Sequence, residues 1–122
     1  MQVFVDDDQS RRHGQEQPPL YQLTALYKHP SDPAAFDKHY REVHAPLAAK
    51  VPGLTSFTMT WCAPGGDGQQ PSYHLIAVLR AESQAAMEQG LAGPEGAAAV
   101  ADLANFAGAG VEMIFGETDA VV

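Results

Sequence analysis

Apolar positions recur along this chain with two periods, and each change of period marks a new element. Leu20 to His29 alternates at a period of two and predicts a strand that stops at Pro30. Beyond Asp32 the period lengthens. Phe36, Tyr40, Val43, Leu47 and Val51 fall on one stripe at about 100° per residue, which predicts a helix with that stripe facing a core. Asp32 is placed to cap it and Pro33 to occupy its first position, where a missing N–H costs nothing. Pro52-Gly53 is the stop signal. Pro46 lacks a donor and clashes with the preceding turn, so a kink or restart is expected over His44–Pro46. Asp37 and Arg41, four apart, are expected to form an ion pair.

Leu54 to Cys62 alternates again, with Phe57, Met59 and Trp61 on one face and Ser56, Thr58 and Thr60 on the other. A Gly- and Pro-rich loop over Ala63 to Pro71 follows. The next strand, Ser72 to Arg80, is apolar on both faces: Tyr73, Leu75, Ala77 and Leu79 against Ile76 and Val78, with His74 on the second. Ser83 caps a helix that reaches Leu91, and Gly93-Pro94 starts another helical segment carrying Val100, Leu103 and Phe106. Gly108 and Gly110 end it, and Val111 to Phe115 is the last strand.

The order β-α-β-β-α-β predicts an α+β fold: a ferredoxin-like sheet with its helices on one face. The other face is left uncovered and apolar, which points to a homodimer formed sheet to sheet. Residues 1 to 19 read as a flexible or strand-adding N-terminal extension, in which Met1 to Val5 can add an edge strand; residues 20 to 122 are the single domain.

Composition narrows the classes of function. With 122 residues, a 45% hydrophobic share and a net charge of −8, the chain is one globular domain and an unsuitable partner for nucleic acid. No apolar run reaches the roughly 20 residues that span a membrane. Asp6-Asp7-Asp8 near the start is unlike a secretory leader, so a cytoplasmic location is expected. Cys62 stands alone and reads as a small apolar filler. No metal is expected: His39 and His44, five apart, diverge by about 140° on a regular helix. No cofactor is expected either, because the glycine-rich loop lacks the strand-to-helix setting of a phosphate-binding turn and no dinucleotide fingerprint is present.

His44 is the residue with the strongest claim to chemistry. It lies roughly 60° from the centre of the helix stripe, beside the expected irregularity, and imidazole titrates near working pH. It is the candidate acid or base, with Tyr40 one turn earlier as its helper and Arg41 disfavouring its protonated form. His74 is expected at the same cavity or against a dimer partner. Tyr27, Phe57 and Trp61 are expected to line an aromatic pocket or to belong to the core. Asp102 and Asn105 read as capping and docking residues of the last helical segment.

The ordered set Tyr27, Phe36-x3-Tyr40-x3-His44-x-Pro46-Leu47, Pro52-Gly53 resembles the EthD family of the dimeric α+β barrels. So does the later run from Gly93-Pro94-Glu95-Gly96 through Asp102-Leu103-Ala104-Asn105-Phe106 to Phe115-Gly116-Glu117, and the resemblance spans about Leu20 to Glu117. It implies a homodimeric barrel whose subunits each hold a small apolar pocket between sheet and helices, acting on a small hydrophobic organic molecule without a nucleotide cofactor. The residues proposed for binding that molecule are Tyr27, His39, Phe57, Trp61, His74, Asn105 and Phe106. Two functions are compatible with it. One is cofactor-independent acid/base chemistry on an aromatic or polyketide-like compound: isomerisation, cyclisation, dehydration or decarboxylation. The alternative is a non-catalytic ligand-binding or accessory protein to an oxygenase.

Overall fold

The computed structural model describes residues 20–122; the expectations for the N-terminal extension, including a strand over Met1–Val5, lie outside the described residues. The elements run β1 (Leu20–Tyr27), α1 (Pro33–His39), a π-helical turn (Tyr40–His44), α2 (Ala45–Ala49), β2 (Leu54–Trp61), β3 (Leu75–Ala81), α3 (Gln84–Ala92), α4 (Pro94–Phe106) and β4 (Val111–Thr118). The four strands form one sheet in the order β2-β3-β1-β4, with every neighbouring pair antiparallel. This is the ferredoxin-like arrangement that the β-α-β-β-α-β order calls for.

Register assigns each strand residue to a face. Leu23, Ala25 and Tyr27 of β1 stand opposite Leu79, Ala77 and Leu75 of β3, and these opposite Phe57, Met59 and Trp61 of β2. On the other side β1 aligns with Phe115, Met113 and Val111 of β4. All of these share the helix-facing side, and the middle of that layer is the core: Leu23, Ala25, Tyr27, Leu75, Ala77, Leu79 and Ala81 are buried. Removal of such side chains from water contributes about 1.5–3 kcal/mol for each large one. The opposite side carries Leu26, Ile76, Val78 and Ile114 among Thr24, Thr58 and Thr60. The register thus puts Met113 and Phe115 towards the helices and leaves Ile114 as the outward apolar residue of β4.

The caps are those the local sequence favours. Asp32 accepts from the Ala35 amide at 3.1 Å, with Pro33 at the first helical position. Ser83 accepts from the Ala86 amide at 3.0 Å at the start of α3. Gly53 ends the first helical region at φ +88°, a left-handed conformation that side chains rarely adopt.

Within the first helical region the register departs from a regular helix. Val43 is 40% exposed and Leu47 half-buried, whereas His44 and Ala48 are buried beside Phe36, Tyr40 and Val51. The cause is the π-turn. The Ala45 amide bonds the Tyr40 carbonyl five residues back, and this wider turn advances the buried face by one position. The expected irregularity is present, immediately before the prolyl residue that cannot donate.

Candidate functional site

Between the sheet and the helices lies a cavity of about 150 Å³. Aliphatic side chains from every layer line it: Leu23, Ala77 and Leu79 from the sheet, and Ala48, Ala99 and Leu103 from the helices are among them. Three polar side chains interrupt this lining, those of Tyr27, Tyr40 and His44, and all three residues are buried. Val100, Met113 and Phe115 also line it yet remain 57%, 39% and 47% exposed. The cavity therefore opens between α4 and the edge strand β4, and its polar groups stand at the inner end. No lysine, arginine, aspartate or glutamate belongs to the lining.

The π-turn places His44 at that inner end, and α4 supplies what holds it there. Asp102, buried on α4, accepts from His44 Nδ1 at 3.0 Å through Oδ2. Its Oδ1 accepts from Asn105 Nδ2 at 2.9 Å, one turn along the same helix. His39 Nε2 reaches both oxygens, at 3.0 and 3.1 Å. A carboxylate only accepts, so the His44 proton sits on Nδ1 and its Nε2 carries a free lone pair. That nitrogen is 3.5 Å from the Tyr27 hydroxyl, at the outer limit of a hydrogen bond. A buried Asp fixing an imidazole's tautomer and leaving its other nitrogen at a cavity is an arrangement suited to general-base chemistry.

Burial lowers the His44 pKa below its ordinary value; Asp102 opposes this shift and the nearby His39 adds to it. Burial acts on Asp102 in the upward direction, but the hydrogen bonds from Asn105, His39 and His44 outweigh it and hold the carboxyl below its usual range. The Tyr27 phenol is pushed up to about 12 by burial, and the Tyr40 phenol is raised as well, also chiefly by burial. At neutral pH the site thus offers a neutral imidazole with a free lone pair and two protonated phenols.

Of the residues expected at the pocket, His44, Tyr40, Tyr27 and Phe57 line the cavity. The others stand elsewhere. His39 turns to Asp102 rather than inward. Its divergence from His44, expected for a regular helix, is cancelled by the five-residue turn, and the two rings meet on one carboxylate. Asn105 donates to that carboxylate as well. Phe106 stacks on His39 at 5.0 Å and lies 4.8 Å from His44, backing both rings from outside the cavity. His74 faces neither the cavity nor the outer side of the sheet; it bonds Asp37 Oδ1 at 2.7 Å on the rim. Asp37 is therefore taken by His74 instead of Arg41, whose guanidinium lies 4.4 Å over the Trp61 ring. Trp61 sits under that cation and edge-on to Tyr40 and His74. The titratable groups acting on His44 are Asp102 and His39 rather than Arg41.

Asp102 is the site residue that sequence spacing did not single out. One signal was available: it lies three residues after Ala99 and four before Phe106, on the apolar face of its helix, where an unpaired carboxylate is costly. Among the described residues no group of three or more histidine, cysteine or acidic side chains is arranged to hold a metal ion. Nor is any described helix long and apolar enough to cross a membrane.

Fold and site together define a small ferredoxin-like α+β protein with an apolar pocket and a buried His–Asp pair at its inner end. The EthD domain matches residues 28–110, and the chain belongs to that family. A relative from Rhodococcus erythropolis, described as an uncharacterized 11.0 kDa protein in the thcB-thcC intergenic region, is 44% identical over 103 residues, covering 84% of this chain and 99% of the relative. The crystal structure of an EthD family protein from Bacillus halodurans superposes with a TM-score of 0.77 at 32% identity, over 82% of this chain and 99% of that one. SnoaB from Streptomyces nogalater, a cofactor-independent oxygenase, shares the fold with a TM-score of 0.56 at 17% identity, over 85% and 94% of the two chains. Other solved structures with this fold are described as dimeric.

Proposed function

We propose that this EthD protein is a cofactor-independent enzyme that moves a proton on a small, neutral, hydrophobic molecule, with His44 as the base. The observation that carries this reading is the Nδ1–Asp102 hydrogen bond, which leaves the Nε2 lone pair at the inner end of an apolar cavity. A ligand with an acidic C–H beside a carbonyl gives that proton to Nε2. The resulting imidazolium is stabilised by Asp102. Negative charge develops on the carbonyl oxygen, and Tyr27 or Tyr40, both kept protonated, donates to it. Return of the proton to another carbon completes an isomerisation; its transfer to a departing hydroxyl completes a dehydration.

The lining restricts the ligand. A cavity of about 150 Å³ suits a single ring, and anything longer must extend through the opening beside Val100, Met113 and Phe115. With no cation in the lining, a carboxylate or phosphate ester would be desolvated without a partner, so the ligand is uncharged. SnoaB supports the reading in one respect: its fold houses chemistry that needs no cofactor.

The outward side of the sheet, with Leu26, Ile76, Val78 and Ile114, pairs with a second copy in this reading, in line with the dimeric proteins that share the fold. The test uses the purified protein alone with neutral single-ring ketones and phenols. Conversion, or exchange of ligand protons with deuterated water, is expected. Binding without either would favour the accessory, ligand-holding role.

A further inference from the structure

The buried base is connected to the surface through one carboxylate. His44 and Asp102 have side chains only 7% and 5% exposed, while the His39 side chain is 26% exposed. Water thus reaches His39 while the other two members are closed off. His39 presents Nε2–H to both oxygens of Asp102, at 3.0 and 3.1 Å; among the described residues its Nδ1 has no hydrogen-bond partner and can take a proton without breaking either contact. The ring is held in that pose by Phe106, stacked at 5.0 Å with 22° between the planes. The π-turn runs from the residue after His39 to His44 itself, which is why two histidines five apart share one acid.

We propose that His39 is a positioning residue that sets the strength of the His44 base through Asp102, according to whether His39 carries a proton. With His39 neutral, Asp102 directs its charge to His44 Nδ1–H and favours the imidazolium that forms when His44 accepts a ligand proton. With His39 charged, the carboxylate is already neutralised and a second cation across it is disfavoured, so His44 is the weaker base. The direction agrees with the lowering effect of His39 on His44. The other polar groups facing the pair are Tyr27 from β1, Tyr40 from the π-turn and Asn105 from α4. Tyr27 and Tyr40 stay protonated across the range concerned, and Asn105 does not titrate. Among the described residues, no lysine or arginine pairs with Asp102 and no second carboxylate pairs with either ring.

The consequence for turnover rests on His44 being the base, but the coupling itself is measurable in the ligand-free protein, so the two ideas fail separately. Imidazole nitrogen NMR of the intact protein, recorded against pH, reads both rings. In the wild type the His44 nitrogens should report a second inflection at the pH where His39 titrates. His39→Gln keeps a donor to Asp102 and removes the charge; His44 should then titrate about one pH unit higher than in the wild type. His39→Lys keeps a cation there at every pH below that of a lysine, and should give no such rise. A His44 curve with a single inflection in the wild type overturns the proposal without recourse to a variant. So does an equal displacement of the curve by Gln and Lys, which would mark His39 as a purely structural support.

Discussion

Four hydrogen bonds converge on the Asp102 carboxylate, and their donors are three residues, on α1, the π-turn and α4. This saturation is what lets an acid remain ionised where little water reaches it. Asp102→Asn keeps the shape but returns a donor towards His39 and His44, so at least one former contact becomes a clash of N–H groups. We expect a loss of about 2–4 kcal/mol in urea unfolding, together with a shift of the His44 proton from Nδ1 to Nε2. Acid should weaken the fold for a related reason. The His44 pKa is lower in the folded protein than in the unfolded chain, so below the ordinary histidine range near 6.5 the unfolded chain binds the extra proton first. This contribution is complete above that range and is lost as pH falls through the folded value. Asp102, also lowered, adds a second loss below the usual carboxylate range. Melting temperatures recorded between pH 7.5 and 5 should fall, and His44→Gln should flatten that slope. His44 was legible from its spacing and from Pro46. Its partner was not, because the two are 58 residues apart and nothing local distinguishes a docking aspartate from one that holds an imidazole.

At the scale of elements, the strands, the caps and the break before Pro46 could be read directly from period and turn chemistry. The phase of the helix after the break could not. A stripe drawn at a constant angle selects Val43 and Leu47, whereas one wider turn gives those places to His44 and Ala48. The hydrophobic pattern favours the valine inside; the polar contacts of His44 with Asp102 are what compensate the imidazole for its burial. The return of the chain after α2 brings the Pro52 carbonyl against Gly90 of α3, so closely that a Cβ on Gly90 would run into it. Because α3 and α4 roof the cavity with Leu91, Ala99 and Leu103, a displaced α3 should disturb both stability and ligand binding. Gly90→Ala is expected to cost about 2–3 kcal/mol in urea unfolding despite alanine's better helix propensity.

For the whole molecule, the alternation along the strands fixed which side chains share a face, but not which face the helices take. Met113 illustrates the difference: its alternation with Glu112 and Ile114 leaves either face open to it, and the register with Ala25 turns it to the cavity mouth. The probe of the proposed dimer is therefore Ile114, 55% exposed on the outward side. Sedimentation at micromolar concentration should give about twice the 13.0 kDa chain mass. Ile114→Asp should shift it to the single-chain mass, because each copy would have to bury an unpaired carboxylate in the pairing face. Met113→Asp should leave the mass unchanged and weaken ligand binding. A wild-type protein that sediments as a single chain would remove the sheet-to-sheet pairing.

In the proposed function His44, held by Asp102, takes a proton from a neutral molecule bound in the cavity. The most direct measurement is the rate at which a bound single-ring ketone exchanges its acidic C–H in deuterated water, compared between the wild type and His44→Gln at matched ligand occupancy. The rate should fall by roughly 10²- to 10⁴-fold in the variant, with ligand affinity little changed and Tyr40→Phe costing less. A folded His44→Gln protein that exchanges the proton at the wild-type rate would contradict it.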